Sequence, residues 1–187
     1  SVNDVNEASP VFAAGDTDSQ DVAEVTTVAT YSATDADGTA TLTYSITGGT
    51  DSDLFSINSA TGALTFSSAP DYENPGCGAG DDSNTCTVVL TVSDGTNTDT
   101  ITVTATVTDL NEHSPVFSAG SASAVNVAEG STAVGTYTAT DSDGTATQTY
   151  SIVAAGTDAA SVDHDLFTVN AGTGALTFSS APDYETP

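Results

Sequence analysis

Four sets of oxygen-bearing side chains recur along this chain, and their types and spacing suit one chemistry: holding a hard divalent cation. One set is a single acid, Glu24, close to the first strand-like run; Glu129 is its later counterpart. A second is Asp35-X-Asp37 followed by Gly, which returns as Asp141-X-Asp143. A third is Asp71-Tyr-Glu73 after an Ala-Pro step, which returns as Asp183-Tyr-Glu185. The fourth is Asp109-Leu110-Asn111-Glu112-His113-Ser114-Pro115, of which Asp4-Val5-Asn6-Glu7-Ala8-Ser9-Pro10 is a near copy. Acids one residue apart on an extended chain point to opposite faces, so a turn must bring them together. A turn around an ion does this, and Ca²⁺ takes six to eight oxygens, backbone carbonyls and Asn amides included.

The charge balance makes the same demand. The 187 residues hold 26 acids and no Lys or Arg, for a formal charge of −26. Two carboxylates ~5 Å apart repel by about 3 kcal/mol at an effective dielectric near 20. Nothing in the chain can neutralise a phosphate, so nucleic acid is excluded as a partner. No stretch approaches the ~20 apolar residues of a membrane-spanning helix, so direct membrane insertion is not expected. No nucleophile–base pairing is visible, and the paired carboxylates are better explained as metal ligands; an enzyme is not expected.

The elements that must position these acids are strands. Thr, Val, Tyr, Phe and Ile crowd into short runs between Gly, Asp, Asn and Pro. Strands are expected near 20–25, 27–34, 40–47, 54–58, 63–67, 86–93 and 99–108, with alternation clearest in Thr87–Ser93 and Ile101–Val107. The pattern implies an all-β fold of sandwich type with one face of each sheet buried. The chain also repeats itself: Asn6–Phe12 returns as Asn111–Phe117, and Gly62–Glu73 as Gly174–Glu185. An insertion in the second copy falls around Gly156–His164. The second copy reaches only its Asp-Tyr-Glu, so two strands have no counterpart in it. A fragment of a longer tandem array is the expected origin, with strands supplied by a neighbouring chain as the alternative. Phe12 and Phe117 are expected to plug the core where each copy begins.

Cys77 and Cys86, nine apart, are expected to close a small disulfide loop, which implies an oxidising compartment; two buried thiols are the alternative. Asp81 and Asp82 inside that loop are expected to be solvated. A zinc site is not expected, because only His113 and His164 could help and neither spacing resembles a ligand set.

In order along the chain stand an Ala-Glu-Gly start, Thr-Asp-X-Asp-Gly, Asp-Tyr-Glu, Val-Ser-Asp-Gly and Asp-X-Asn-Glu-X-X-Pro-X-Phe. This combination resembles the extracellular cadherin repeats, closest in style to the cadherin-like repeats of long bacterial and archaeal surface proteins. The resemblance implies seven-stranded Greek-key sandwiches joined end to end, with about three Ca²⁺ in each complete junction. Residues 1–9 would be the tail of an upstream calcium linker, 10–110 a complete repeat and 111–187 an incomplete one. The implied junction draws on Glu24, Asp71 and Glu73, on Asp109, Asn111, Glu112 and the carbonyls of Leu110 and His113, and on Asp141 and Asp143. Half-sites are implied at the amino terminus (Asn6, Glu7, the Ala8 carbonyl, Asp35, Asp37 and Asp94) and at the carboxyl terminus (Glu129, Asp183 and Glu185). Glu112 stands where the family usually has Asp, and His113 where Asn is common. The implied role is a calcium-rigidified extracellular structural or adhesive repeat of a surface protein or filament. Further copies of the repeat, and other chains in a filament or at a cell surface, are the implied partners. A calcium-dependent recognition domain, for homophilic adhesion or carbohydrate, is the alternative.

Overall fold

The computed structural model describes residues 5–37, 41–80, 82–120, 123–144, 147–153 and 163–185. The chain divides into two compact units, Ser1–Leu110 and Asn111–Pro187. Both are built from strands and turns, with a single short 3₁₀ turn described in each.

In the first unit, nine extended segments follow one another: β1 (Val11–Phe12), β2 (Thr17–Ala23), β3 (Thr27–Thr30), β4 (Ala33–Thr34), β5 (Thr43–Gly48), β6 (Phe55–Ile57), β7 (Ala63–Phe66), β8 (Thr85–Ser93) and β9 (Thr98–Thr108). A four-stranded sheet runs β2-β9-β8-β5, a three-stranded sheet runs β3-β7-β6, and β1 pairs with β4. The strict alternation of β8 and β9 fixes which side faces in. Cys86, Val88, Leu90 and Val92 from β8 are buried, as are Ile101, Val103, Ala105 and Val107 from β9. They meet Leu64, Phe55 and Phe66 of the second sheet, with Phe12, Tyr31 and Tyr44, in one continuous core. Their alternate neighbours are largely threonines, which suit the solvent face of a pleated sheet.

Two details depart from the sequence pattern. β2 begins at Thr17 rather than near 20, because its polar stretch is held by parallel pairing to β9, from Thr17 on Thr102 to Ala23 on Thr108. The expected 27–34 strand breaks at Tyr31 and Ser32. There the Tyr31 N–H donates to the Gly62 carbonyl and the Ser32 carbonyl accepts from Ala13 N–H. That break frees Ala33 and Thr34 to pair with the short β1.

Gly62 shows what the close contact needs. It has φ +70°, and a Cβ built on it would run into the Tyr31 carbonyl oxygen; Gly174 repeats the arrangement against Tyr137 with φ +69°. Replacing Gly62 by Ala is expected to destabilise the first unit by about 2 kcal/mol through the left-handed backbone alone. Chemical denaturation measures this, and a change below about 0.5 kcal/mol would show that the turn can relax.

A buried acid anchors the cysteine loop. Asp51 is 6% exposed; its Oδ1 accepts the Gly78 N–H at 2.6 Å and its Oδ2 the Thr87 N–H at 2.7 Å. Cys77 and Cys86 are joined by a disulfide, and both are buried. Asp82 is exposed, and Asp81 lies outside the described residues.

The second unit contains β10 (Val116–Phe117), β11 (Ala133–Thr136), β12 (Ala139–Thr140), β13 (Phe167–Val169) and β14 (Ala175–Phe178). The sheet β11-β14-β13 matches β3-β7-β6, and β10-β12 matches β1-β4. Segments 125–128 and 147–153, the places of β2 and β5, form no strand among the described residues. The expectation for Phe117 is therefore corrected. Phe12 is 2% exposed whereas Phe117 is 51% exposed. Phe12 is covered by the sheet that β8 and β9 complete, and its N–H donates to Asp99 of β9 at 2.9 Å. Nothing of that kind covers Phe117 among the described residues. The insertion is described only from Asp163 onward, where His164 Nε2 lies 3.0 Å from Asp165 Oδ1.

Candidate metal centre

Within the first unit, oxygen ligands gather near both ends of β9, a strand of 11 residues. At about 3.3 Å per residue, these ends lie some 30 Å apart or more.

The set near the start of β9 is built by the turn after β4 and the turn after β8. Asp37 N–H donates to Asp35 Oδ1 at 2.8 Å, which closes a tight turn there. Asp37 Oδ2 in turn accepts the Ala8 N–H at 2.6 Å and so ties the entering segment to the turn. Asp94 Oδ1 accepts the N–H groups of Thr96 and Asn97, each at 2.6 Å. The Asn97 backbone bond, with Thr96, Asn6 and the Asn97 side chain, holds the Asp94 carboxyl below the ordinary range against the opposing effect of burial. The Ala8 carbonyl accepts from Asn97 Nδ2 at 2.7 Å. The Asn6 amide places one end 3.2 Å from both Asp94 Oδ2 and Asp37 Oδ2. With its nitrogen inward it donates to both; with its oxygen inward it adds a third oxygen to the group. Asp35 Oδ2 is buried with no hydrogen-bond donor, while Glu7 is exposed. A buried carboxylate oxygen without a donor is costly unless a cation supplies the missing charge.

At the far end of β9, Glu24, Glu73 and Asp109 offer ligand atoms that all lie within 4.8 Å of one another. Glu24 follows β2 and Asp109 follows β9, so the parallel pairing of these two strands delivers both acids to one edge. Glu24 Oε1 accepts the Tyr72 N–H and Oε2 the Leu110 N–H, both at 2.8 Å. Asp71 lies outside this close group; its Oδ1 accepts the Asn74 N–H at 2.9 Å.

The second unit repeats parts of both arrangements. Asp143 is 1% exposed. Its Oδ2 accepts the His113 N–H at 2.9 Å, as Asp37 accepts that of Ala8. Its own N–H donates to Asp141 Oδ1 at 3.2 Å. His113 Nδ1 lies 2.9 Å from Asp143 Oδ1 and 3.6 Å from Glu112 Oε1. Burial pushes the Asp143 carboxyl up, but the side-chain and backbone bonds from His113, its charge and the link to Asp141 leave it below the ordinary range. Asn111 and Glu112 are exposed. Glu129, Asp183 and Glu185 form a third close group, in which Tyr184 N–H donates to Glu129 Oε2 at 3.3 Å. Sequence reasoning gave His113 a carbonyl role only. Its imidazole contact with Asp143, thirty residues away, leaves no local signature.

These donors are carboxylates, amides and backbone carbonyls, the hard oxygen set of Ca²⁺. The profile of the cadherin domain matches residues 19–113, just over half of the chain. The chain belongs to the cadherin domain family. No curated protein sequence matches it. Among solved structures it is similar to human protocadherin-24 repeats EC1-2, with 23% identity, a TM-score of 0.66 and coverage of 98% of this chain and 82% of that one. Human CDH23 repeats EC21-23 align at 21% identity with a TM-score of 0.63, over 98% of this chain and 58% of that one. Drosophila N-cadherin repeats EC1-4 align at 19% identity and 0.67, over 95% and 42%. The chain thus spans about half the length of several structures it matches. These likenesses establish the fold as the Ig-like sandwich of cadherin repeats. Cadherin domains are extracellular adhesion-type modules rather than enzymes, and in general they bind calcium. Among the described residues no helix is long and apolar enough to cross a membrane.

Proposed function

We propose that this chain is a calcium-rigidified structural and adhesive repeat pair from a longer cell-surface protein or filament. The observation that carries the reading is the gathering of oxygen ligands near both ends of β9, in a chain with no Lys or Arg to neutralise them. The complete junction uses Glu24, Asp71, Glu73, Asp109, Asn111, Glu112, Asp141 and Asp143, with the carbonyls of Leu110 and His113. Residues 10–110 act as the complete repeat and 111–187 as the next. Seven carboxylates in that set face the six positive charges of three Ca²⁺. Without metal their repulsion splays the junction and leaves the repeats flexibly tethered; with metal the junction stiffens.

Extracellular modules of this kind hold calcium at ~10⁻⁴ to 10⁻³ M, so the sites fill outside a cell and empty inside it. A tenfold excess of calcium over its dissociation constant stabilises the folded chain by about 1.4 kcal/mol per site. Small-angle scattering with calcium and with chelator tests the reading. The expected result is a rod in calcium and a broader, bent distribution after chelation, with strand content unchanged. An identical rod in both conditions would overturn it.

A further inference from the structure

We propose that Glu112, His113 and Asp143 also form a site for a borderline-soft divalent ion of the Zn²⁺ class, a chemistry that the oxygen ligands nearby do not serve. The proposal deepens the metal-binding reading of the same end of the second repeat. It rests on the imidazole, which calcium does not need.

His113, Asp143 and Glu112 each offer a ligand atom, and these atoms lie within 4.8 Å of one another. Two donors that each sit 2.0–2.1 Å from one zinc ion are about 2.9 Å apart at a right angle and about 3.4 Å apart at the tetrahedral angle. The observed 2.9 Å from Nδ1 to Asp143 Oδ1 and 3.6 Å from Nδ1 to Glu112 Oε1 bracket those separations. An ion needs only to take the place of the hydrogen shared between Nδ1 and Asp143. The side chains are held ready for it. Asp143 is buried, its other oxygen accepts the His113 N–H, and its own N–H is tied to Asp141. His113 is 44% exposed at its side chain, which leaves an entry path and room for water to complete the shell. Imidazole nitrogen with carboxylate oxygen favours zinc and its neighbours over calcium, which prefers a larger all-oxygen shell.

The first repeat is an internal control. Ala8 occupies the place of His113, and its N–H meets Asp37 Oδ2 as that of His113 meets Asp143. The two turns share a backbone plan, and only the second carries a nitrogen ligand. Separation along the sequence argued against zinc; folding removes that objection by bringing residues 113 and 143 together.

Calorimetric titration of the whole chain with Zn²⁺, and separately with Ca²⁺, tests the proposal, with Co²⁺ absorption as a second readout. The expected result is one Zn²⁺ bound at least tenfold more tightly than any Ca²⁺. His113→Ala should weaken that Zn²⁺ at least tenfold and abolish the Co²⁺ band, while Ca²⁺ affinity stays within twofold because the carbonyl of residue 113 remains. His164→Ala should change neither. Zn²⁺ binding that survives His113→Ala, or that depends on His164, overturns the proposal. Loss of the calcium isotherm with retention of a His113-dependent zinc isotherm would sink the calcium reading and support this one.

Discussion

Replacing Asp143 by Ala is expected to weaken calcium binding at the proposed junction by about 100-fold and to release the segment that carries Glu112 and His113. Three interactions converge on this one residue. Its two oxygens take the His113 N–H and approach Nδ1, and its own N–H fixes Asp141. The change therefore removes one ligand directly and loosens the segment carrying Glu112 and His113, while the backbone N–H that binds Asp141 is kept. Calcium affinity in such sites follows the number of charged ligands and the rigidity of the cage, and both fall together here. Asp143→Asn keeps the shape and part of the hydrogen bonding but not the charge, so a loss of about tenfold is expected. Asp82→Ala is the control: it removes the same charge from an exposed position in the cysteine loop. Calorimetry reads the affinity, and amide exchange at His113 and Asp143 reads the loosening. If Asp143→Ala and Asp82→Ala leave the same calcium isotherm, binding reflects net charge rather than a built site.

Much of this arrangement is legible in the sequence, because its signals are short-range and occur twice. Asp35-X-Asp37 and Asp141-X-Asp143 each close their own turn, with the second Asp N–H on the first carboxylate. Glu24 and Asp109 are each set by their place at a strand end. β8 and β9 announce themselves by alternation, and their inward residues are all buried. What stays hidden depends on partners far along the chain. β2 has a polar beginning, TDSQ, with little alternation, and it exists as a strand because β9 offers a parallel edge. β5 exists because β8 offers an antiparallel one. The second copy shows the converse. Segments 125–128 and 147–153 resemble β2 and β5, yet among the described residues they form no strand, and Phe117 is half exposed. Local similarity thus predicted local turns well and predicted burial poorly, because burial belongs to the whole sheet.

Asp51 is the acid that composition hides best, and its loss is expected to destabilise the first repeat by about 4 kcal/mol. Among 26 acids, nothing in the sequence pattern sets it apart, and Asp53 and Asp82 are both exposed. The fold gives it a different task. It reaches the Gly78 N–H on the cysteine loop and the Thr87 N–H at the head of β8, and so bridges the 3₁₀ turn at Ser52–Leu54 to both. Asp51→Ala leaves two backbone donors without their acceptor, at about 1–3 kcal/mol each, and charged acceptors lie at the upper part of that range. The disulfide holds the same loop from its other side. Closing nine residues, it contributes about 3 kcal/mol by restricting the unfolded chain. The two restraints share Gly78, which follows Cys77 directly, so their effects should not add. Once Cys77→Ser and Cys86→Ser release the loop, Gly78 can turn its N–H to water. Asp51→Ala should then cost about 1–2 kcal/mol less than it does in the disulfide-bonded chain. Denaturant unfolding of the four chains of this cycle, in saturating calcium and followed by tyrosine emission, measures the coupling. A loss below about 1 kcal/mol for Asp51→Ala, or strict additivity with the cysteine changes, would show that the loop is held by the disulfide alone.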